Sequence, residues 1–235
     1  MGQLVHTLPE GKRVRGVTLL AGEIYLLRDK ERDQVEVYDV ITYRLQRCLT
    51  VPNARWFTDM TSCELNSCVY IGGYFGNCVH KLDVQGAVTH WHINDEPRGL
   101  SVNAAHNVLI TCPVVRKIKE FSSHGDLLRE LTLPDDVIRP WHAIQTRSGQ
   151  FIVCYGSHCN PVHRVCMISA DGRHIVHSHG GQRGSDTDQY DEPHHLAVDD
   201  NEFVFVADLH NRPVTLLSPT LEYVSVRQVV SPDID

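Results

Sequence analysis

An all-β fold, a β-propeller of four-stranded blades, is predicted by three features of this chain. One short phrase recurs: RGVTLLA from Arg15, RWFTDMT from Arg55, RGLSVNA from Arg98, WHAIQTR from Trp141 and HHLAVDD from His194. The copies are 40, 43, 43 and 53 residues apart, and a period of that size built from strands and turns is the signature of propeller blades. Between copies the apolar residues alternate or run in short blocks, as strands buried on one or both faces do. No segment sustains a helical period.

Taken in order, the chain opens with GQLVHTL, which reads as an orphan outer strand near residues 3–7. Five units follow, at approximately 13–54, 55–97, 98–140, 141–193 and 194–235, forming a single domain over 1–235. The third shows the plan: RGLSVN, NVLITC and RKIKEF as three strands, a turn at SSHGD, and LLRELTL as the fourth. The fourth repeats it as WHAIQT, QFIVCYG, HRVCMIS and RHIVHS, and the fifth as HHLAVD, FVFVAD, PVTLLS and LEYVSV. Gly86, Gly125 and Gly172 stand where the last hairpin of a unit must turn, because such turns need a residue that accepts positive φ. Five units plus one outer strand predict either a five-bladed ring or an incomplete six-bladed one, the latter making the chain a fragment of a longer protein.

Composition fits a globular domain, with 42% hydrophobic and 22% charged residues and a formal net charge of −7. The acidic total excludes a surface that grips phosphate everywhere, while leaving room for a local basic patch. The first residues have no apolar leader segment and no stretch is long enough to cross a bilayer, so neither secretion nor membrane insertion is expected. The myristoylation pattern fails at His6. A cytoplasmic location with free thiols is the expectation for the eight cysteines, which include no CxxC. Cys112, Cys154 and Cys166 lie within apolar strands, as small hydrophobes do. The run CYGSHCNPVHRVC could also offer Cys154, His158, Cys159, His163 and Cys166 to zinc around a hairpin.

The start of each repeat holds the candidate binding residues: Arg15, Arg55, Trp56, Arg98, Trp141, His142, His194 and His195. In a propeller the first strand of every blade lines the channel, so these residues, distant in sequence, are expected at one rim. Guanidinium, imidazole and indole groups together suit an anionic or aromatic partner. The alternative is that they solvate a wet channel mouth while Trp56 packs between blades. Ser, His and Asp are all present, but no GxSxG elbow occurs, and GGYFG from Gly72 neither follows a phosphate-loop pattern nor precedes a helix. Asp186, Asp188, Asp191 and Glu192 lack the spacing of a calcium loop and read as a solvated acidic linker.

The segment FVFVADLHNRPVTLL, from Phe203 to Leu217, resembles the core of an NHL repeat, a strand ending in Ala-Asp followed by Asn-Arg and a second apolar strand. Upstream, HGGQRGSDTDQYDEPHHLAVD resembles that family's Gly-rich linker. The matching positions are Gly180, Gly181, Gly184, Gln189, Tyr190, Pro193, Ala197, Val198, Asp208, Asn211 and Arg212. The earlier units depart from the pattern, with Gly72 and Gly73 near the Ala-Asp position of the second and Pro113 interrupting the third.

The resemblance implies a recognition propeller, similar to that of tripartite-motif NHL proteins, with any ligase modules lying outside this chain. The expected function is a non-catalytic scaffold that binds a protein or peptide partner across the channel face, with no cofactor and no metal. One alternative is single-stranded RNA, with the arginines on phosphate and Trp56 and Trp141 stacking on bases. The other is a zinc-dependent enzyme similar to the peptide-amidating lyase, with His142 and His195 as ligands. The equivalent third position holds Gly16, Trp56 or Gly99, none of which coordinates, whereas a catalytic zinc takes three protein ligands.

Overall fold

The computed structural model describes residues 14–28, 33–52, 56–74, 76–211 and 213–228, with backbone alone at 213, 227 and 228. Its described residues form twenty strands in five four-stranded antiparallel sheets, each a simple meander, the blades of a five-bladed β-propeller. The first blade comprises β1 (Val14–Leu20), β2 (Glu23–Arg28), β3 (Gln34–Asp39) and β4 (Leu45–Thr50). The second comprises β5 (Phe57–Cys63), β6 (Cys68–Gly73), β7 (Cys78–Asp83) and β8 (Val88–His92). The third is β9 (Leu100–Val102), β10 (Val108–Cys112), β11 (Lys117–Phe121) and β12 (Leu127–Thr132). The fourth is β13 (Pro140–Gln145), β14 (Phe151–Tyr155), β15 (Val162–Ile168) and β16 (Ile175–Gln182), and the fifth β17 (Pro193–Val198), β18 (Val204–Asp208), β19 (Pro213–Leu217) and β20 (Tyr223–Gln228).

Burial explains the sequence pattern. Every residue of β6, β10 and β14 is buried, so these second strands read as unbroken apolar runs, whereas β4, β8 and β12 are mostly exposed and read as mixed. Gly86, Gly125 and Gly172 take φ of 90°, 90° and 79° in the hairpins where the sequence places turns. The orphan strand near 3–7 lies outside the described residues.

The chain divides into two compact units, Met1–Leu100 and Ser101–Asp235. In the first, Leu20, Tyr25, Leu27, Val35 and Val37 of one blade pack with Met60, Val69, Ile71 and Leu82 of the next. The second has two such interfaces. Leu109, Ile118 and Leu131 pack against Phe151, Val153 and Cys166, and Ile152, Cys154 and Val165 pack against Leu196, Val204 and Val206. Cys154 and Cys166 thus occupy opposite faces of one sheet, each filling a different core.

Candidate binding surface and its supports

The repeated position at the head of each unit is a backbone device. Val14 pairs with Arg28 and Gly16 with Leu27, so Arg15 is an extra residue in the ladder. The same shift falls between Pro140 and His142, leaving Trp141 extra, and between Pro193 and His195, leaving His194 extra. A β-bulge of this kind leaves one residue unpaired and re-aims its side chain. In the second blade the irregularity falls later, between Phe57 and Met60. In the third, β9 begins at Leu100, so Arg98 precedes the strand. Arg55 and Arg212 lie outside the described residues.

In the unit that begins at Ser101 the bulges of β13 and β17 bring four rings into two pairs. Trp141 stacks on His194 with centroids 4.7 Å apart and planes at 27°. His142 and His195 approach to 4.1 Å with planes at 43°. Trp141, His194 and His195 are partly accessible, while His142 is buried. Each Trp-His or His-His neighbour pair in sequence is therefore split, one member joining each layer.

A polar framework holds these rings from behind. The indole N–H of Trp141 donates to the carbonyl of Gly156. Gly156 sits at φ 138°, and a Cβ there would come within 2.7 Å of the His163 ring, so only glycine fits. His163 is fully buried with both ring nitrogens used: Nε2–H faces the carbonyls of Ser157 and Asn160 at 3.0 Å, and Nδ1 accepts from the Glu192 N–H at 2.9 Å. Those acceptor carbonyls require the proton on Nε2. Such a histidine has no lone pair left for zinc. Together with the opposed faces of Cys154 and Cys166, this removes the soft-ligand reading of the CYGSHCNPVHRVC run.

Glu192 corrects a second expectation. The sequence places it in a solvated acidic linker, yet it is 6% exposed at φ 65°. Its carboxylate accepts the His158 N–H at 2.5 Å and lies 3.3 Å from His158 Nδ1 and 3.4 Å from His210 Nε2. The neighbouring Asp191 pairs with Arg183 at 2.7 Å, and its N–H donates to Asp208. Burial raises Asp208 above the usual carboxylate range against the hydrogen bonds from Asp191 and Asn211. The linker thus closes on itself through named contacts. Burial also lifts the Cys166 thiol to about 12, which keeps it protonated.

In the unit that ends at Leu100, Arg15 is exposed and Trp56 is 53% exposed at φ 59°, so the indole is not core packing. Arg98 pairs with Glu96 of its own loop at 2.6 Å and lies over the ring of Tyr74, which follows β6, at 4.8 Å. Asp59 is buried and accepts the N–H groups of Met60 and Leu100, both at 2.8 Å, tying β5 to the start of β9. Sequence reasoning passed over one further group in this unit. Cys78 and His80 on β7 stand opposite His92 and His90 on β8. The signal was there to read, as a Cys-x-His and a His-x-His flanking one hairpin turn.

No protein-family model and no curated protein sequence matches the chain. Among solved structures it is similar to a streptogramin B lyase at 14% identity, covering 93% of this chain and 70% of that one with a TM-score of 0.68. Virginiamycin B lyase from Staphylococcus aureus is similar at 12% identity, with 93% and 71% coverage and a TM-score of 0.67. A structure of a nidogen/laminin complex includes a chain similar at 10% identity, with 92% and 80% coverage and a TM-score of 0.70. At these identities the likeness extends to the propeller fold.

Proposed function

We propose that the chain is a non-catalytic recognition propeller of NHL-like design that holds a protein or peptide partner at the bulged heads of β13 and β17. The observation that carries this reading is the recurrence of the bulge at Arg15, Trp141 and His194. A fold repeats a ladder defect at one position when the side chain it re-aims has a use, and bulges concentrate beside functional sites. Partly accessible Trp and His rings backed by a rigid frame are suited to anchoring a partner side chain at small entropic cost. Nidogen in complex with laminin offers a precedent for a propeller in a protein assembly. Eight free cysteines fit a cytoplasmic setting.

The test is a pull-down followed by affinity measurement with the recovered partner, using the chain and its Trp141→Ala/His194→Ala variant. Loss of about tenfold or more in affinity is expected, as for hot-spot aromatics. Unchanged affinity overturns the reading. Binding of a single-stranded oligonucleotide that weakens steeply with salt would replace the protein partner by RNA.

One observation favours a second reading. His142 and His195 meet at 4.1 Å on adjacent first strands and could supply two zinc ligands of a lyase-like enzyme. Stoichiometric zinc lost in a His142→Ala/His195→Ala variant, together with turnover of a substrate, would displace the recognition reading.

A further inference from the structure

The β7–β8 hairpin of the second blade carries four soft donors on one face. Residues two apart on a strand share a face, and cross-strand partners stand side by side. Cys78 pairs with His92 and His80 with His90, so the four side chains form a quadrilateral, with Trp91 and Val79 on the opposite face. The contacts agree: Cys78 Sγ lies 3.3 Å from His80 Nε2, the rings of His80 and His90 are 5.8 Å apart and those of His90 and His92 are 5.6 Å apart.

We propose that this face, made by Cys78, His80, His90 and His92, binds a borderline-soft divalent cation of the zinc class. A tetrahedral zinc holds a sulfur and a nitrogen ligand about 3.5 Å apart, and two imidazole centres roughly 5 Å apart. The separations of the free side chains are close to both. The exposed His90 and His92 can turn inward over the remaining distance, while buried Cys78 and His80 are already placed. The four donors are one sulfur and three imidazoles, a set that disfavours calcium and magnesium.

Three further observations point to a ligand here. His80 is buried with Nδ1 lacking any hydrogen-bond partner among the described residues, so no polar contact holds the ring away from Cys78. His92 Nδ1 lies 3.1 Å from the Gly76 carbonyl, which can only accept; the proton therefore sits on Nδ1 and the Nε2 lone pair is left for metal. Gly73 lies opposite Cys78, and a Cβ there would stand 3.1 Å from its sulfur and 3.4 Å from His80 Nε2, so glycine keeps the space clear.

Four protein ligands make a closed site, the mark of a structural ion. It would staple the outer hairpin of the blade, and Cys78, whose thiol burial raises, would release its proton on binding.

Cobalt(II) titration of the metal-free chain tests this, with zinc as competitor. The expected result is one equivalent bound, tetrahedral d–d absorption, a thiolate charge-transfer band, and a zinc-induced rise in thermal midpoint. Cys78→Ser should lose the charge-transfer band. The His90→Ala/His92→Ala variant changes two exposed side chains, so it keeps the fold and should bind about tenfold or more weakly. Absence of the thiolate band, or unchanged affinity in the His90/His92 variant, would each overturn the proposal.

Discussion

Rings gather at two places in this molecule, and they do so by opposite uses of strand geometry. At the heads of β13 and β17 the rings are sequence neighbours, Trp141 beside His142 and His194 beside His195, and a bulge splits each pair into two layers. On the β7–β8 hairpin the donors alternate, and an unbroken ladder keeps all four on one face. In the first arrangement the buried His163 behind the rings uses both its nitrogens. The second contains a buried histidine with a nitrogen still unsatisfied. A preorganised surface suits recognition of a partner, and an incomplete donor set suits capture of an ion.

If the frame behind Trp141 is rigid, breaking it should cost far more than disturbing the hairpin. Gly156→Ala is expected to have the largest effect, about 4 kcal/mol, from a strained φ of 138° combined with contact against the His163 ring. Urea unfolding measures it, and a cost below about 1 kcal/mol would show that the loop simply relaxes. Next comes His163→Leu, which removes the imidazole from the Glu192 N–H and the Asn160 carbonyl, while the Ser157 carbonyl keeps the Asn160 N–H. A loss of about 3 kcal/mol is expected from those buried polar groups. Either variant should also weaken partner binding, since Gly156 carries the acceptor for the Trp141 indole.

The two regions also differ in how far they could be read in advance. Five blades were legible because every blade repeats one strand plan, with buried second strands printed as apolar runs such as VLITC and FIVCY. The repeat position at Arg15, Trp141 and His194 was legible as a position, but its bulge was not, since a ladder shift depends on the partner strand. Glu192 was misread because a carboxylate among acidic neighbours looks solvated until the His158 and His210 loops close over it. The Cys and His face was visible as two alternating motifs, yet only the β7–β8 register shows that Cys78 meets His92 rather than His90.

On the hairpin side, Gly73→Ala makes the matched comparison with Gly156→Ala. Its backbone needs no positive φ, and the added methyl meets Cys78 Sγ at 3.1 Å and His80 Nε2 at 3.4 Å. Small displacements of two side chains accommodate it, so about 1 kcal/mol is expected from the overpacking. Cobalt affinity should fall nonetheless, because the methyl occupies the space between the ligands. A stability loss as large as that of Gly156→Ala would show the hairpin to be as tightly framed as the other region.

The smallest effect concerns a histidine whose polar partner is already in place. His179 on β16 lies in the frame's own unit, where its Nδ1 is 2.9 Å from the Tyr190 hydroxyl and its ring stacks on Tyr223 at 6.4 Å. Burial holds it below the ordinary value of 6.5, against a smaller upward pull from Asp188. With the folded value depressed, the unfolded chain takes up the proton first as the solution is acidified. The contribution of neutral His179 is therefore complete above pH 6.5 and declines as pH falls from there towards the lower folded value. His179→Phe keeps a ring against Tyr223 and cannot titrate. Urea midpoints of the two proteins, compared at pH values on either side of 6.5, should show the original chain losing more stability on the acid side. Parallel curves would mean that His179 is as hydrated as an exposed imidazole, and that the frame around Tyr190 is more open than its hydrogen bonds imply.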